Sequence, residues 1–225
     1  MNPSDGPQIV GVGCGETTQP AERTPRSHAD RIVEIYEAHA DAWTCKRRGD
    51  VFEAGWLERF RALMPPFGAV LDIGCGSGAP IAAYLIERQH PVIGVDSSPT
   101  MINTCRRRFP QADWRVADMR GLELGVAFSG IIAWDSFFHL CPCDQRGMFD
   151  TFRAHSLPGA ALMFTSGPAH GEAFGSLEGE VLYHASLSAE EYRHLLAQRG
   201  FEVLAHTVQD TTCGGHTIWL ARLAQ

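Results

Sequence analysis

The sequence predicts an α/β fold built on a mostly parallel sheet, and three observations carry that prediction. After Pro66, short apolar runs rich in β-branched residues alternate with amphipathic segments of helical period, the signature of right-handed crossovers. The first run breaks into a loop with three glycines, "VLDIGCGSGAP" over Val70 to Pro80, a way of bringing backbone close to a ligand. The chain closes on two apolar runs, "FEVLAHTVQD" and "HTIWLARL", whose short glycine-containing link predicts an antiparallel pair at one sheet edge.

In chain order, residues 1–27 are rich in Pro, Thr, Gly and Gln without sustained period and read as a tail outside a single domain over 28–225. Within that tail "IVGVGCGET" repeats the glycine spacing, but no acid precedes the glycines, and Pro20 and Pro25 follow where a helix is needed. The stretch "ADRIVEIYEAHADAWTCKRR" sets Ile32, Ile35, Tyr36, His39 and Trp43 at helical spacings, predicting one helix from Ala29 to about Arg48. In "VFEAGWLERFRALM" a second helix brings Phe52, Trp56, Leu57, Phe60 and Leu63 to one face before Pro65 and Pro66 end it. These N-terminal helices fill 28–66, and the core follows over 67–225. There "AVLDIG", "PVIGVD", "WRVAD", "GIIAWDS" and "AALMFTSG" read as strands, with "APIAAYLIERQ", "SPTMINTCRRRF", "DQRGMFDTFRAHSL" and "SAEEYRHLLAQRG" as helices.

At 225 residues, with 44% apolar and 20% charged residues, the chain is sized and composed as one ordinary globular domain. A net charge of −7 and a pI near 5.8 argue against nucleic acid as a partner. The one basic run, Arg106 to Arg108, falls at a predicted helix end, where positive charge suits the dipole. No stretch approaches the roughly 20 apolar residues of a membrane span, and no basic segment followed by an apolar core opens the chain, so a cytoplasmic location is expected. The seven cysteines are odd in number and scattered, which reads as reduced thiols. Cys141 and Cys143 flank Pro142 at a spacing unlike common zinc pairs, and no metal is expected. No heptad or repeat specifies an oligomer, leaving monomer or homodimer.

The glycine loop by itself is weakly informative. Gly74, Gly76 and Gly78 allow a sharp exit from the strand, and the helix opening at Ala79 and Pro80 points N–H groups back at a ligand. Gly74, Gly76 and Ala79 even satisfy the dinucleotide pattern. The acids discriminate. Asp72, two residues before the first glycine, would repel a pyrophosphate but suits a ligand bearing an ammonium group. Asp96 ends the second apolar run, where a carboxylate can accept from both ribose hydroxyls, and Asp118 ends the third, placed for an exocyclic amine. Any one of these would serve equally as a turn former or helix cap; three in this order favour a ligand.

The ordered set "LDIGCGSG", "GVDSSPTMI", "VADM" and "IIAWDSFFHL" resembles the motifs of the class I S-adenosylmethionine-dependent methyltransferases, from about Tyr36 to the C-terminus. The resemblance implies a Rossmann-like, doubly wound sheet of seven strands with the last antiparallel, lid helices before it, and S-adenosyl-L-methionine as cofactor, leaving S-adenosyl-L-homocysteine. It implies that Asp72 and the backbone of Gly74 and Gly76 face the methionine part, with backbone near Ala133 and Trp134 lining it. Asp96 would hold the ribose, Ser97 and Met101 would flank the adenosine, and Asp118 and Met119 would meet adenine. Tyr36 and Trp43 resemble aromatic lid positions of small-molecule members; an apolar helix face explains them equally.

Methyl transfer is an in-line displacement in which alignment alone can supply about 7 to 11 kcal/mol, so a general base is optional. His139 in "WDSFFHL" is the candidate base, and a packing role is its alternative. His170 with Glu172, Tyr183 with His184, and His216 crowd later loops as candidate substrate contacts, at spacings that match no standard metal motif. The expected activity is methyl transfer to an oxygen, nitrogen or sulfur atom of a small molecule. A nicotinamide-dependent oxidoreductase, which leaves Asp72 unexplained, and a non-catalytic S-adenosylmethionine-binding module are the alternatives.

Overall fold

A computed structural model describes residues 25–47 and 51–225. The tail predicted over 1–27 and its glycine run lie outside the described residues, except that 25–27 open the first helix. Where one helix is predicted there are three: α1 (Pro25–Asp30), α2 (Ile32–Ala38) and α3 (Ala40–Lys46). His39, at φ −115, bends the chain, yet the ladder runs through it: its N–H reaches the Ile35 carbonyl at 3.0 Å and its carbonyl accepts from Trp43 at 3.0 Å. α4 (Ala54–Arg61) buries Trp56, Leu57 and Phe60 as predicted. Phe52 departs from the expected face: it precedes the helix and is exposed.

The core is a seven-stranded sheet. Its strands are β1 (Val70–Ile73), β2 (Val92–Asp96), β3 (Asp113–Val116), β4 (Phe128–Ala133), β5 (Ser156–Ser166), β8 (Phe201–Asp210) and β9 (His216–Leu223), in the order β3-β2-β1-β4-β5-β9-β8. Only β9 runs antiparallel to its neighbours, β5 and β8. Helices α5 (Ile81–Glu87), α6 (Pro99–Arg108), α7 (Pro142–Ala154) and α8 (Ala189–Gln198) make the crossovers. Their starts are legible in the chain: Ser98 caps α6 by accepting from the Met101 N–H at 3.1 Å with Pro99 next, and Ser188 caps α8 through Glu191 at 3.1 Å.

The strands alternate across two cores. Ile132, Met163 and Leu220 face the side packed by α4, α5 and α6, whereas Ile131, Phe164 and Trp219 face α7 and α8. Phe137, Phe149, Phe152, Phe164, Tyr192 and Trp219 form an aromatic cluster on the second side, the Phe164 and Trp219 rings stacked at 5.7 Å.

One element escapes the sequence reading. The segment treated as polar loops after the fifth strand is a hairpin, β6 (Gly171–Leu177) and β7 (Glu180–Ser186), forming its own two-stranded sheet. Its turn is Glu178 and Gly179, both at positive φ, the twist a tight hairpin requires. Ile32 and Ile35 of α2 pack on Leu177, Leu182 and Tyr183 of this hairpin, so helix and hairpin together cover the carboxyl edge of the sheet.

Candidate active site

At that carboxyl edge, β1 ends in the predicted loop. Gly74 sits at φ +74, and a Cβ placed there would lie 2.3 Å from the Ser136 Cβ, so the loop passes a neighbouring wall at a distance only glycine allows. The Gly76 N–H donates to Asp96 Oδ2 at 2.9 Å and the Ser98 N–H to Asp96 Oδ1 at 2.9 Å. Asp96 thus ties the first loop to the second strand end while each oxygen keeps a lone pair for a further donor. Burial pushes its pKa up and the two backbone donors pull against that.

Asp72 is buried, and its Oδ2 has no hydrogen-bond partner among the described residues. Burial, then the charge of Asp96, pushes its pKa up to about 7. Trp134 Nε1 is likewise buried without an acceptor. Two residues that line one cavity therefore carry an orphaned acceptor and an orphaned donor, and such groups ask for a ligand that answers both.

Around this cavity the structure brings together most of the predicted cofactor residues: Tyr36, Trp43, Asp72, Gly74, Gly76, Asp96, Ser97, Met101, Asp118, Met119 and Trp134. Two predicted positions depart. Gly78 lies behind the wall, where a Cβ would crowd Cys105 and Phe109 at 3.2 Å, and Ala133 is packed in the second core; Trp134 and Asp135 beyond it line the cavity instead. Asp118 stands at the rim with its carboxylate gripped by Arg120 at 2.7 Å. Burial raises its pKa, and the hydrogen bonds and charge of Arg120 outweigh that and leave it lowered.

His139 lies on a short 3-10 turn, Phe137–His139, against this cavity. Its Nδ1 is 2.8 Å from the Tyr183 carbonyl, which can only accept, so Nδ1 carries the hydrogen and Nε2 accepts from the Tyr36 hydroxyl at 3.0 Å. Both ring nitrogens are engaged. Burial, with the nearby His184, lowers the His139 pKa to about 4, so the ring is neutral, while burial first raises Tyr36 well above its usual range.

Beyond Asp135 opens a second cavity, of about 520 Å³, that gathers His170, Glu172, His184 and His216. Tyr183 departs from prediction: its side chain is buried and donates to Glu172 at 2.9 Å, and it reaches the site only through its carbonyl on His139. The His139 and His184 rings approach to 4.7 Å. His216 donates from Nδ1 to the Cys213 carbonyl at 2.8 Å, and its Nε2 lies 3.0 Å from the Asp135 carboxylate, an arrangement that favours the imidazolium. Burial lowers its pKa, and the hydrogen bond and charge of Asp135 more than offset this, leaving it raised.

Asp135 carries no expectation from the sequence. It lines both cavities, and it holds φ +47, a left-handed conformation uncommon outside glycine. Its N–H donates to Thr165 Oγ1 at 2.8 Å, which fixes it there. A strained conformation shows only once backbone angles are known; the one signal in the chain is an acid placed directly after an apolar strand.

Comparison with known proteins follows this architecture. Residues 70–159 match the methyltransferase domain family. Over 95 residues, 41% of this chain and 36% of its relative, the chain is 47% identical to a trans-aconitate 2-methyltransferase of Azoarcus sp. (strain BH72). It is 26% identical over 138 residues, 60% of this chain and 53% of its relative, to a dTDP-4-amino-2,3,4,6-tetradeoxy-D-glucose N,N-dimethyltransferase of Saccharopolyspora spinosa. These alignments span about a third to a half of the length of such relatives. In fold, the chain is similar to the Burkholderia thailandensis 1,6-didemethyltoxoflavin-N1-methyltransferase, solved with its substrate and S-adenosylhomocysteine. The TM-score is 0.69 at 17% identity, over 92% of this chain and 94% of that one. It is also similar to an amino pentose methyltransferase from Micromonospora echinaspora bound to S-adenosylmethionine, at TM-score 0.63 and 22% identity, covering 84% and 96%.

Proposed function

We propose that this chain, whose residues 70–159 are a methyltransferase domain of the class I S-adenosylmethionine-dependent kind, moves a methyl group from that cofactor to a nucleophilic atom of a small molecule. The observation that carries the reading is Asp72: a buried carboxylate with an unpartnered oxygen in the wall of the glycine-loop cavity. Such a group favours a cationic partner and repels the pyrophosphate that a dinucleotide would bring, which sets aside the oxidoreductase. S-adenosylmethionine supplies a zwitterionic amino-acid end and a methyl already activated on a sulfonium. Asp72 suits its ammonium and Trp134 Nε1 its carboxylate, while the spare lone pairs of Asp96 suit the ribose hydroxyls. Ser97, Met101, Asp118 and Met119 form the adenosine side, and Tyr36 and Trp43, in edge-to-face contact at 5.3 Å, roof the methionine side.

The acceptor enters by the second cavity, where His170, Glu172, His184 and His216 contact it. His139 fixes the Tyr36 hydroxyl at the junction, a positioning role in an alignment-driven displacement. The acidic chain favours a small molecule over nucleic acid, and no helix among the described residues is long and apolar enough to cross a membrane. A cytoplasmic enzyme, monomer or homodimer, is the matching setting, with one catalytic domain over 28–225.

Thermal denaturation checks the cofactor: S-adenosylhomocysteine is expected to raise the melting temperature, with NAD and NADP leaving it unchanged. The reverse pattern sinks the proposal. Transfer of a labelled methyl group into pooled metabolites then separates an enzyme from a binding module.

A further inference from the structure

The partition between the two cavities decides which atoms meet there, and Asp135 is that partition. Its carboxylate is braced by His216, and Tyr36, His139, His184 and His216 all lie close enough to feel its charge. A φ of +47 is an unfavourable conformation for a non-glycine residue, and the Thr165 hydroxyl keeps it in place. A strained acid held where donor and acceptor sites join is suited to a charge that develops at that point.

We propose that the acceptor is an amine, and that Asp135, braced by His216, receives its N–H and stabilises the positive charge that the nitrogen gains. This rests on the methyl-transfer reading of the first cavity. An acceptor that arrives as an ammonium first gives its proton to water in the second cavity, and the lone pair of the free amine then forms the new N–C bond as the C–S bond breaks with its pair remaining on sulfur. Positive charge passes from sulfur to nitrogen, and the product ammonium releases a proton to water through the second cavity. No oxidant and no protein base is consumed. Asp135 faces both ends of that charge movement.

The charges around the second cavity select the class. Asp135 and the His216 imidazolium cancel, Glu172 remains, and among the described residues lining the cavity none is lysine or arginine. A carboxylate acceptor finds no free cation there. For a hydroxyl acceptor a base adds most, and the candidate base His139 has both ring nitrogens held, by the Tyr36 hydroxyl and the Tyr183 carbonyl. An amine carries no negative charge that a cation must counter, and its free-base form attacks without a protein base.

Calorimetric titration of the full chain at saturating S-adenosylhomocysteine tests this with matched probes: glucosamine against glucose, and cyclohexylamine against cyclohexanol and cyclohexanecarboxylate. The amines are expected to bind at least tenfold more tightly than their partners, and Asp135→Asn to erase that preference. Asparagine tolerates the left-handed conformation, so the variant keeps the local backbone. Equal or tighter binding of the hydroxyl or carboxylate probes, no binding of any probe, or an amine preference that survives in Asp135→Asn overturns the assignment. Failure of S-adenosylhomocysteine itself to bind is a separate result, which removes the methyl-transfer reading and this inference with it.

Discussion

Asp72 and His139 pull the stability of the ligand-free protein in opposite directions with pH. Burial raises the Asp72 pKa to about 7, against an ordinary value of 3.8. Between those limits the native state keeps a proton that the unfolded chain has lost, so the Asp72 contribution to stability falls as pH rises from about 4 to about 7. That difference is on the order of 4 kcal/mol. Asp72→Asn is therefore expected to stabilise the ligand-free protein above neutrality, by up to a few kcal/mol in urea unfolding, while S-adenosylhomocysteine affinity drops at least tenfold. Binding the cofactor's ammonium favours the ionised acid, so binding near neutral pH should release a proton, read as a dependence of calorimetric enthalpy on buffer ionisation. His139 has the opposite sign. Its pKa is lowered by burial from 6.5 to about 4, so the unfolded chain takes up a proton that the native ring refuses, and stability is lost as pH falls through that window. His139→Gln should flatten the acid limb of the stability profile; an unchanged limb would mean the ring is not held neutral.

Among elements, the glycine loop and the wall opposite it are set by contact distance. Ala at position 74 would press on Ser136, whose hydroxyl is already committed to the Ile73 carbonyl at 2.8 Å, and would sit at an unfavourable φ. At position 76 the nearest atom to an added Cβ is Trp43 Nε1 at 3.7 Å, so only the backbone preference opposes the change. Gly76→Ala is expected to cost about 1 kcal/mol and Gly74→Ala roughly 1–3 kcal/mol more in chemical denaturation. Equal costs would mean that the Ser136 wall yields. The same contrast explains how far the chain could be read. Strands and crossover helices declared themselves through period, and Asp72 and Asp96 through their place at strand ends. The hairpin stayed hidden because Glu178–Gly179 is a rare tight-turn pair and "SGPAHGEAFG" has few β-branched residues. Asp135 stayed hidden because its importance lies in a torsion angle and in a partner, His216, that β9 brings back from 81 residues away. Gly78 and Ala133 had the right neighbours in sequence but face the wrong side of the wall.

At the scale of the whole molecule, α1, α2 and α3 cover the cofactor cavity and are tied to the sheet domain by side chains rather than by strand pairing, the Tyr36 hydroxyl on His139 at 3.0 Å among them. Ile32 and Ile35 dock on the hairpin, and Glu37 reaches the start of α6, accepting from the Ser98 hydroxyl, from the Thr100 hydroxyl at 2.6 Å and from the Thr100 N–H at 3.1 Å. Arg31–Glu180 at 3.1 Å and Lys46–Glu178 at 2.7 Å are exposed pairs, which contribute little and less still at high salt. A unit held this way opens with less free energy than the sheet unfolds, so its amides should exchange first. Ligand under the roof couples the two parts, because Tyr36 and Trp43 then close on the cofactor rather than on an open cavity. Hydrogen exchange should show residues 32–46 far less protected than β4 and β5 without ligand, and protected strongly on adding S-adenosylhomocysteine. Glu37→Ala removes the tie to α6, including the hydrogen bond from the lining residue Ser98, so it should speed ligand dissociation several-fold and leave the exchange of β4 and β5 unchanged. Helices that exchange as slowly as the central strands in the ligand-free protein would show instead that the cover is part of one cooperative fold, and that the cofactor must enter by way of the second cavity.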